Sequence, residues 1–219
     1  MGRRDAEPKN WVWVSPVGLS AALIYVGLTI ASVGLYPGST SPLDTYLSEL
    51  GNSDLSPDGW WLYDLGMIVA GVLALAFFWG LAEYYSGRAS ARLVRAAKGL
   101  GAFNAVAIVL TGAVAEHVNM AAHIAWSVLL FGSLVPLLFV YGLILRELPG
   151  FSRVVSWYGF AACAADVVLL VTLGIVGGPD PGVGSLLEWV VVFQYILWVV
   201  LISLDVTRGP IIRARKPAG

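Results

Sequence analysis

The sequence predicts an all-α polytopic membrane protein with six transmembrane helices. Apolar residues make up 58% of the 219-residue chain and charged residues 12%, and the mean hydropathy is +0.79, which together exclude an ordinary soluble domain. A spanning helix needs about 20 mostly apolar residues, and continuous apolar runs do not fit the alternating pattern of an outer-membrane barrel. Six runs are long enough, at approximately 11–36, 61–85, 93–115, 118–145, 154–176 and 185–206.

The positions of the basic residues support six spans and predict their orientation. All 13 Lys and Arg residues lie before the first run, at the junction of the second and third, between the fourth and fifth, or after the sixth. With six helices these places share one side, which the positive-inside rule makes the cytoplasm. We therefore expect a single domain, 1–219, in the cell membrane, with cytoplasmic basic tails at 1–10 and 207–219. The connections near 37–60, 116–119 and 177–184 then face outward.

Residues 36–64 form the only long polar segment that carries carboxylates, and it has no Lys or Arg. Ser41, Pro42 and Asp44 have the composition of a helix start, and Gly51 can end that helix. The apolar residues between them have the i, i+3, i+4, i+7 spacing that places them on one face, namely Leu43, Tyr46, Leu47 and Leu50. The pattern predicts a short amphipathic helix in the outer loop, with Glu49 largely on its other face.

Ionisable residues of the predicted spans lie at a common depth. An ionised acid at the bilayer centre costs on the order of 3 kcal/mol, so such residues normally face a protein interior or a water-filled cavity. Four different helices contribute side chains within roughly two turns of the outer surface, namely Asp64, Glu116, His117, His123 and Glu188. Asp64 and Glu188 also have a structural interpretation, because acids are favoured at helix N-termini.

Other polar residues are expected around this cluster. The four-residue spacing of Asn119, His123 and Ser127 predicts a polar stripe along one helix. Asp166, Asn104 and Gln194 are predicted to form the floor of the same cavity. Glu116 is expected to end the third helix, where a carboxylate is electrostatically unfavourable.

The spacing of these residues favours paired-carboxylate chemistry over other chemistries. His117 and His123 arise from one element and could not bind a haem iron from opposite faces, and zinc would need carboxylate ligands. No G-x-S-x-G pattern and no inverted repeat with acids in both leaflets is present, which disfavours a serine hydrolase and a transporter. Glycoside hydrolysis needs one protonated and one ionised carboxyl, and an edge-of-membrane cluster can separate carboxyl pKa values. We expect no cofactor and no metal.

Two motifs resemble a known family. A first span ending in YPG is followed by SPLDTYLSELGNS, and the last span contains EWVVVFQYILWVV. Over essentially the whole chain this resembles the six-span membrane family called domain of unknown function 998, although relatives often carry an amide where this sequence has Asp64. The resemblance implies distant likeness to lipid-associated membrane proteins that act in GPI-anchor remodelling and to archaeal intramembrane glycosidases.

These observations predict an intramembrane hydrolase of the outer leaflet, a glycosidase acting on a glycolipid or small glycoside. Glu49, Glu188 and Asp64 are the predicted catalytic residues. The predicted substrate-binding residues are Asp44, Trp60, Glu116, His117, Asn119, His123, Asp166 and Gln194. The expected partners are membrane lipids and not nucleic acid. The alternative is a non-enzymatic lipid-binding or membrane assembly protein in which the carboxylates organise a headgroup pocket.

Overall fold

A computed structural model describes residues 13–148, 151–176 and 182–214, with side chains described only as far as residues 174 and 207 at the ends of the last two ranges. These ranges contain six α-helices and no strand, and all six helices include a stretch long and apolar enough to cross a membrane. The prediction of a six-span, multi-pass membrane protein is confirmed. The helices are α1 (Val14–Leu35), α2 (Trp60–Tyr85), α3 (Ala91–Ala113), α4 (Glu116–Glu147), α5 (Arg153–Val176) and α6 (Val183–Ala214).

Several predicted boundaries differ from the structure or lie outside the described residues. The sixth helix continues to Ala214 and so includes much of the segment predicted to be a tail. The expected start of the first span at Trp11, the tail 1–10, residues 215–219 and most of the loop 177–184 lie outside the described residues. Glu116 is the first residue of α4, not the last of α3. At a helix N-terminus a carboxylate is electrostatically favourable, so the unfavourable placement expected for Glu116 was wrong.

The helices form a closed ring in which each packs against its neighbours in sequence and α6 packs against α1. Small residues allow these close approaches. In α3, Ala97, Gly101 and Ala105 are all buried, and Gly101 lies against Phe78 of α2.

The two ends of the bundle differ in charge. One end, here called the loop end, carries the connection between α1 and α2 and the junction between α3 and α4. The other, the basic end, carries the turns after α2 and α4, where the described Lys and Arg side chains lie. Lys98 Nζ lies 2.6 Å from Glu83 Oε1 there. The orientation of the loop end toward the outside of the cell stays a prediction of the positive-inside rule.

The half of the bundle near the basic end is filled by packed aromatic rings. Phe78 lies 5.2 Å from Phe77, 5.8 Å from Tyr141 and 6.4 Å from Trp198, measured between ring centroids. All four side chains are fully buried. Buried rings at these separations form a packed aromatic layer at this depth.

The predicted amphipathic helix in the loop is not formed as expected. Residues 41–45 make one turn, in which the N–H groups of Asp44 and Thr45 donate to Ser41 O, and the only helix is a four-residue 3₁₀ helix, Ser48–Gly51. The N–H of Leu47 donates to Glu188 Oε2 at 3.0 Å, so a tertiary hydrogen bond takes the place of the helical one. Of the predicted apolar face, Leu47 and Leu50 are fully buried, whereas Leu43 is 53% exposed.

The loop 36–59 lies across the loop end and is held there by side chains of the bundle. Ser185 Oγ donates to Pro42 O at 2.8 Å, and Trp189 Nε1 donates to Thr45 O at 2.9 Å. From α1, Ser32 Oγ donates to Leu50 O at 3.4 Å. Hydrogen bonds from α1 and α6 to successive loop carbonyls fix the loop as a cover over the centre of the ring.

Candidate functional site

Four carboxylates from four different elements, one of them in the loop itself, are grouped around Glu116. They are Glu49 of the 3₁₀ helix, Asp64 of α2, Glu116 of α4 and Glu188 of α6. Glu116 interacts electrostatically with each of the other three, and Glu49 also interacts with Glu188. Asp64 and Glu188 are only 8% and 9% exposed. The structure therefore brings the three predicted catalytic acids together, with Glu116 as their common neighbour.

Glu188 holds the loop and faces the interior at the same time. Its Oε2 accepts the Leu47 N–H at 3.0 Å, and the backbone of Ser48 also donates to this carboxylate. The start of the 3₁₀ helix therefore lies directly against the Glu188 carboxylate. Truncation of this side chain would leave buried N–H groups unpaired.

Glu116 joins the loop to the start of α4. Asn52 Nδ2 donates to Glu116 Oε2 at 3.3 Å, and His123 Nε2 lies 3.8 Å from Glu116 Oε1. His123 Nδ1 lies 2.9 Å from Val114 O. Because a carbonyl only accepts, Nδ1 carries a proton, and Nε2 faces Glu116 as a lone pair or, in the imidazolium, as an ion pair. Glu116 is the first residue of α4 and His123 lies about two turns further along the helix.

His117 fixes the second half of the loop. The Ser53 N–H donates to His117 Nδ1 at 3.2 Å, which requires the tautomer with its proton on Nε2. The ring lies edge-on to Trp60, with 5.0 Å between centroids. The predicted substrate-binding residues His117 and Trp60 therefore lie together at the edge of the cluster, where they contact the loop and each other.

Gly51 allows the loop backbone to approach Asp64 closely. A Cβ at this position would clash with Asp64 Oδ1 and lie 3.0 Å from Tyr63 Cδ1. The residue that was predicted to end a helix is thus needed for close packing between the 3₁₀ helix and α2. Asp64 is held under the loop by this contact.

Glu49 has a different environment from the buried acids. It is half-buried, and burial, followed by repulsion from Glu116, raises the pKa of its carboxyl above the ordinary value. Glu49 thus keeps its proton to higher pH than an exposed glutamate. Burial followed by the charge of Glu49 also raises the pKa of Tyr36.

An apolar cavity extends from the carboxylate cluster into the bundle. The cavity is partly open, and about 810 Å³ of empty space, open solvent included, lies within its outline; it is lined by α1, α2, α3, α4, α6 and the loop. Its polar groups at the loop end are Ser48, Glu188, Tyr25 and Tyr63, with the Tyr25 hydroxyl donating to the Tyr63 hydroxyl at 3.4 Å. The rest of the lining is mainly apolar and runs down to Phe77, with Thr111, Ser127 and Tyr195 as its further polar side chains.

Four of the predicted binding residues do not join the cluster. Asp44 is exposed on the loop and accepts from Ser39 Oγ at 3.0 Å. Gln194 Nε2 donates to Ala162 O of α5 at 3.3 Å. Asp166 is fully buried in α5 with no hydrogen-bond partner for either carboxyl oxygen. The fourth, Asn119, is exposed near the start of α4.

The predicted polar stripe fails at Asn119, whereas His123 is buried and Ser127 lines the cavity; the predicted cavity floor is wrong. Asn119 has extended backbone angles (φ −161°, ψ 94°), and its Oδ1 accepts the Ala122 N–H at 3.0 Å, so it starts the regular part of α4 and points away from His123. Neither Asp166 nor Gln194 lines the cavity, and Asn104 instead bonds to α4 and to Tyr195. The innermost lining is aromatic and aliphatic.

The structure adds residues that sequence reasoning missed. Asn52 links the loop to Glu116, and Tyr25 lines the cavity beside Glu188. Tyrosines near a membrane boundary are ordinarily interface anchors, and an Asn after a Gly is ordinary turn composition. No signal in the sequence separates these residues from those common roles.

The fold and the site define a multi-pass membrane protein with a carboxylate cluster at one end of a six-helix ring. The family model described as "Protein of unknown function (DUF998)" matches residues 19–205, which is most of the chain. The chain therefore belongs to the DUF998 family. Comparisons with curated proteins and with solved structures gave no match. Because the family description assigns no activity, the chemistry has to be argued from the site.

Proposed function

We propose that this protein is an intramembrane hydrolase, a glycosidase that cleaves the sugar headgroup of a glycolipid or a small glycoside. The observation that carries the proposal is that Glu49, Asp64 and Glu188 all interact electrostatically with Glu116, and that Glu188 also lines an apolar cavity. Placing four acids together, two of them buried, is costly unless they are compensated or used. Paired carboxyls in unlike environments are the chemical requirement of glycoside hydrolysis.

The environments of two acids suggest their roles. Glu49 is half-buried with a raised carboxyl pKa, which suits a proton donor to the leaving-group oxygen. Glu188 lines the cavity and is fixed by the Leu47 N–H, which suits the second carboxylate. The glycosidic C–O bond breaks as the leaving oxygen gains the Glu49 proton, and water supplies the hydroxyl at the anomeric carbon. Glu188 activates that water or forms a glycosyl ester that water then hydrolyses.

Neighbouring groups would position this pair. Asp64 and the Glu116–His123 couple surround it with acceptors for sugar hydroxyls, and Asn52 holds Glu116 in place. Trp60 and Tyr63 are aromatic surfaces within the same region. By the positive-inside rule this mouth faces the outside of the cell, where lipid headgroups of the outer leaflet are available.

The test is turnover by the purified full-length protein with chromogenic glycosides and with lipid glycosides. Glu49→Gln and Glu188→Gln keep the shape of each side chain and remove the acid. Each is expected to lower turnover at least about 100-fold, as the loss of a general acid or base does. Asp58→Asn, an exposed acid of the same loop, is the matched control and is expected to retain activity. Turnover that persists in both Gln variants would contradict the assignment of Glu49 and Glu188 as catalytic residues.

One observation favours the alternative of a non-enzymatic lipid-binding protein. Glu188 and Glu116 each use an oxygen to hold the loop, on Leu47 and Asn52 respectively, and this is a structural use. In that case lipid co-purifies, no substrate is turned over, and the Gln variants bind lipid as the wild type does. The same set of proteins and substrates therefore separates the two functions.

A further inference from the structure

We propose that the cavity binds one hydrocarbon chain of an amphiphilic lipid whose headgroup, free of negative charge, lies against the carboxylate cluster. This deepens the proposed function by naming the substrate class, and for the role of the headgroup it rests on that function. The chain site can be tested separately from catalysis, because it lies below the acids.

The length of the cavity fits a chain that extends through one leaflet. Along α2 its lining runs from Tyr63 to Phe77, and along α6 from Glu188 to Val199. At 1.5 Å per residue these stretches rise about 21 Å and about 16 Å. The hydrocarbon core of a bilayer is about 30 Å thick. The cavity therefore begins near one membrane surface and ends somewhat past the middle.

The cavity is closed at its deep end and apolar along its sides. Phe77 is fully buried and packs against Gly18 of α1 and the neighbouring Phe78. Ala70 and Ala74 of α2 line the middle, and small side chains at these two positions leave room along the axis. An apolar cavity whose deep end is lined by the buried Phe77 suits the end of a hydrocarbon chain.

Other occupants fit this space less well. About 810 Å³ over about 20 Å leaves a cross-section of at most about 40 Å², whereas an α-helix with side chains is about 10 Å across, or about 80 Å². Extended peptide would bring backbone N–H and C=O groups into a lining with few partners for them. Water is disfavoured by the same apolar lining. A methylene chain is narrower than an α-helix and needs no hydrogen-bond partners.

The charge at the mouth selects the headgroup. No Lys or Arg occurs between Lys9 and Arg88, between Lys98 and Arg146, or between Arg153 and Arg208, so the segments that form the loop end contain no strong cation. Four carboxylates interact there, with His123 beside Glu116. A phosphate placed among them would meet like charge and no basic partner. Sugar hydroxyls can donate to each carboxylate without that repulsion.

The experiment uses full-length protein and a series of octyl, dodecyl and hexadecyl glucosides, with binding measured by native mass spectrometry. Ala70→Phe and Ala74→Phe narrow the cavity at two depths, and Ala76→Phe is the matched control because it makes the same change on an exposed face of α2. The wild type is expected to bind more tightly as the chain lengthens. Ala74→Phe should bind octyl glucoside normally but lose at least tenfold for hexadecyl glucoside, and Ala70→Phe should lose at least tenfold for both longer glucosides.

Several results would overturn the proposal. One is a wild-type affinity that does not depend on chain length, a measurement that needs no variant to fold. Another is equal binding by Ala74→Phe and Ala76→Phe, with both folded as judged by gel filtration. Dodecyl phosphate bound as tightly as dodecyl glucoside would overturn the headgroup assignment.

The outcomes also separate this inference from the proposed function. If binding depends on chain length but no glycoside is turned over, the hydrocarbon-chain site is supported and the hydrolase assignment is contradicted. If a soluble aryl glycoside is hydrolysed, but alkyl glucosides show no chain-length dependence in binding, the hydrolase stands and the chain site falls.

Discussion

The packing of α3 on α2 makes a sharp prediction for two glycines of one helix. A Cβ at Gly101 would lie 2.6 Å from Phe78 Cβ and 2.8 Å from Phe78 Cγ, whereas a Cβ at Gly99 has nothing within 4 Å. Since Phe78 Cβ is attached directly to the backbone of α2, rotation of the ring cannot relieve the clash, and the helices must move apart. Overpacking of this kind costs about 1–3 kcal/mol. Replacing glycine by alanine within a helix stabilises the folded state by about 0.5–1 kcal/mol, which offsets part of that cost.

We therefore expect Gly99→Ala to raise the free energy of unfolding by up to about 1 kcal/mol and Gly101→Ala to lower it by up to about 2 kcal/mol. The assay is reversible unfolding in mixed micelles of dodecyl maltoside and dodecyl sulfate, followed by circular dichroism. The two variants have the same composition and lie on the same helix, so lipid and detergent effects cancel. Equal stability of the two variants would refute the helix contact described here.

Three further predictions concern the loop and the buried polar groups. Gly51→Ala places a methyl group against Asp64 Oδ1, so hydrogen exchange of the loop should quicken while the helices stay protected; unchanged exchange would contradict this contact. Asn104 hydrogen-bonds through both ends of its amide, so Asn104→Ala should cost about 1–3 kcal/mol in unfolding experiments. The raised pKa of Glu49 means that the folded protein retains a proton that the unfolded chain releases between the ordinary and the raised pKa. Stability should fall as pH rises through that interval, and Glu49→Gln should flatten the slope.

The helices could be predicted because length and apolar composition determine them directly. The second helix was expected from 61 and begins at Trp60, and the fifth was expected from 154 and begins at Arg153. The prediction of an α-helix in the loop failed for a different reason. The N–H of Leu47 donates to Glu188, which is 141 residues away in the sequence. No local sequence pattern indicates that such a tertiary hydrogen bond replaces the helical one. The favourable apolar spacing was satisfied in part, by burial of Leu47 and Leu50, without a continuous α-helix.

The depth of the acids was predictable, but their neighbours were not. Alternation of six spans places Asp64, Glu116 and Glu188 at the same end of the bundle, and this follows from chain order alone. Whether a side chain points to the centre depends on the rotation of its helix. Spans that are apolar on all sides carry little periodicity from which to read that rotation. This is why Asp166, at a plausible depth, lies in α5 outside the cavity lining.

Because Glu188 both fixes the loop and lines the cavity, two substitutions there can separate its structural use from its chemistry. Glu188→Gln retains an oxygen that can accept the Leu47 N–H, so the loop should keep its hydrogen-exchange protection while turnover is lost. Glu188→Ala removes the acceptor and leaves buried N–H groups unpaired, at a cost of about 1–3 kcal/mol, so protection of residues 45–50 should fall as well. If the Gln variant lost loop protection as fully as the Ala variant, the negative charge of Glu188 would be what holds the loop. Loss of turnover in Glu188→Gln would then follow from displacement of Glu49 with the loop.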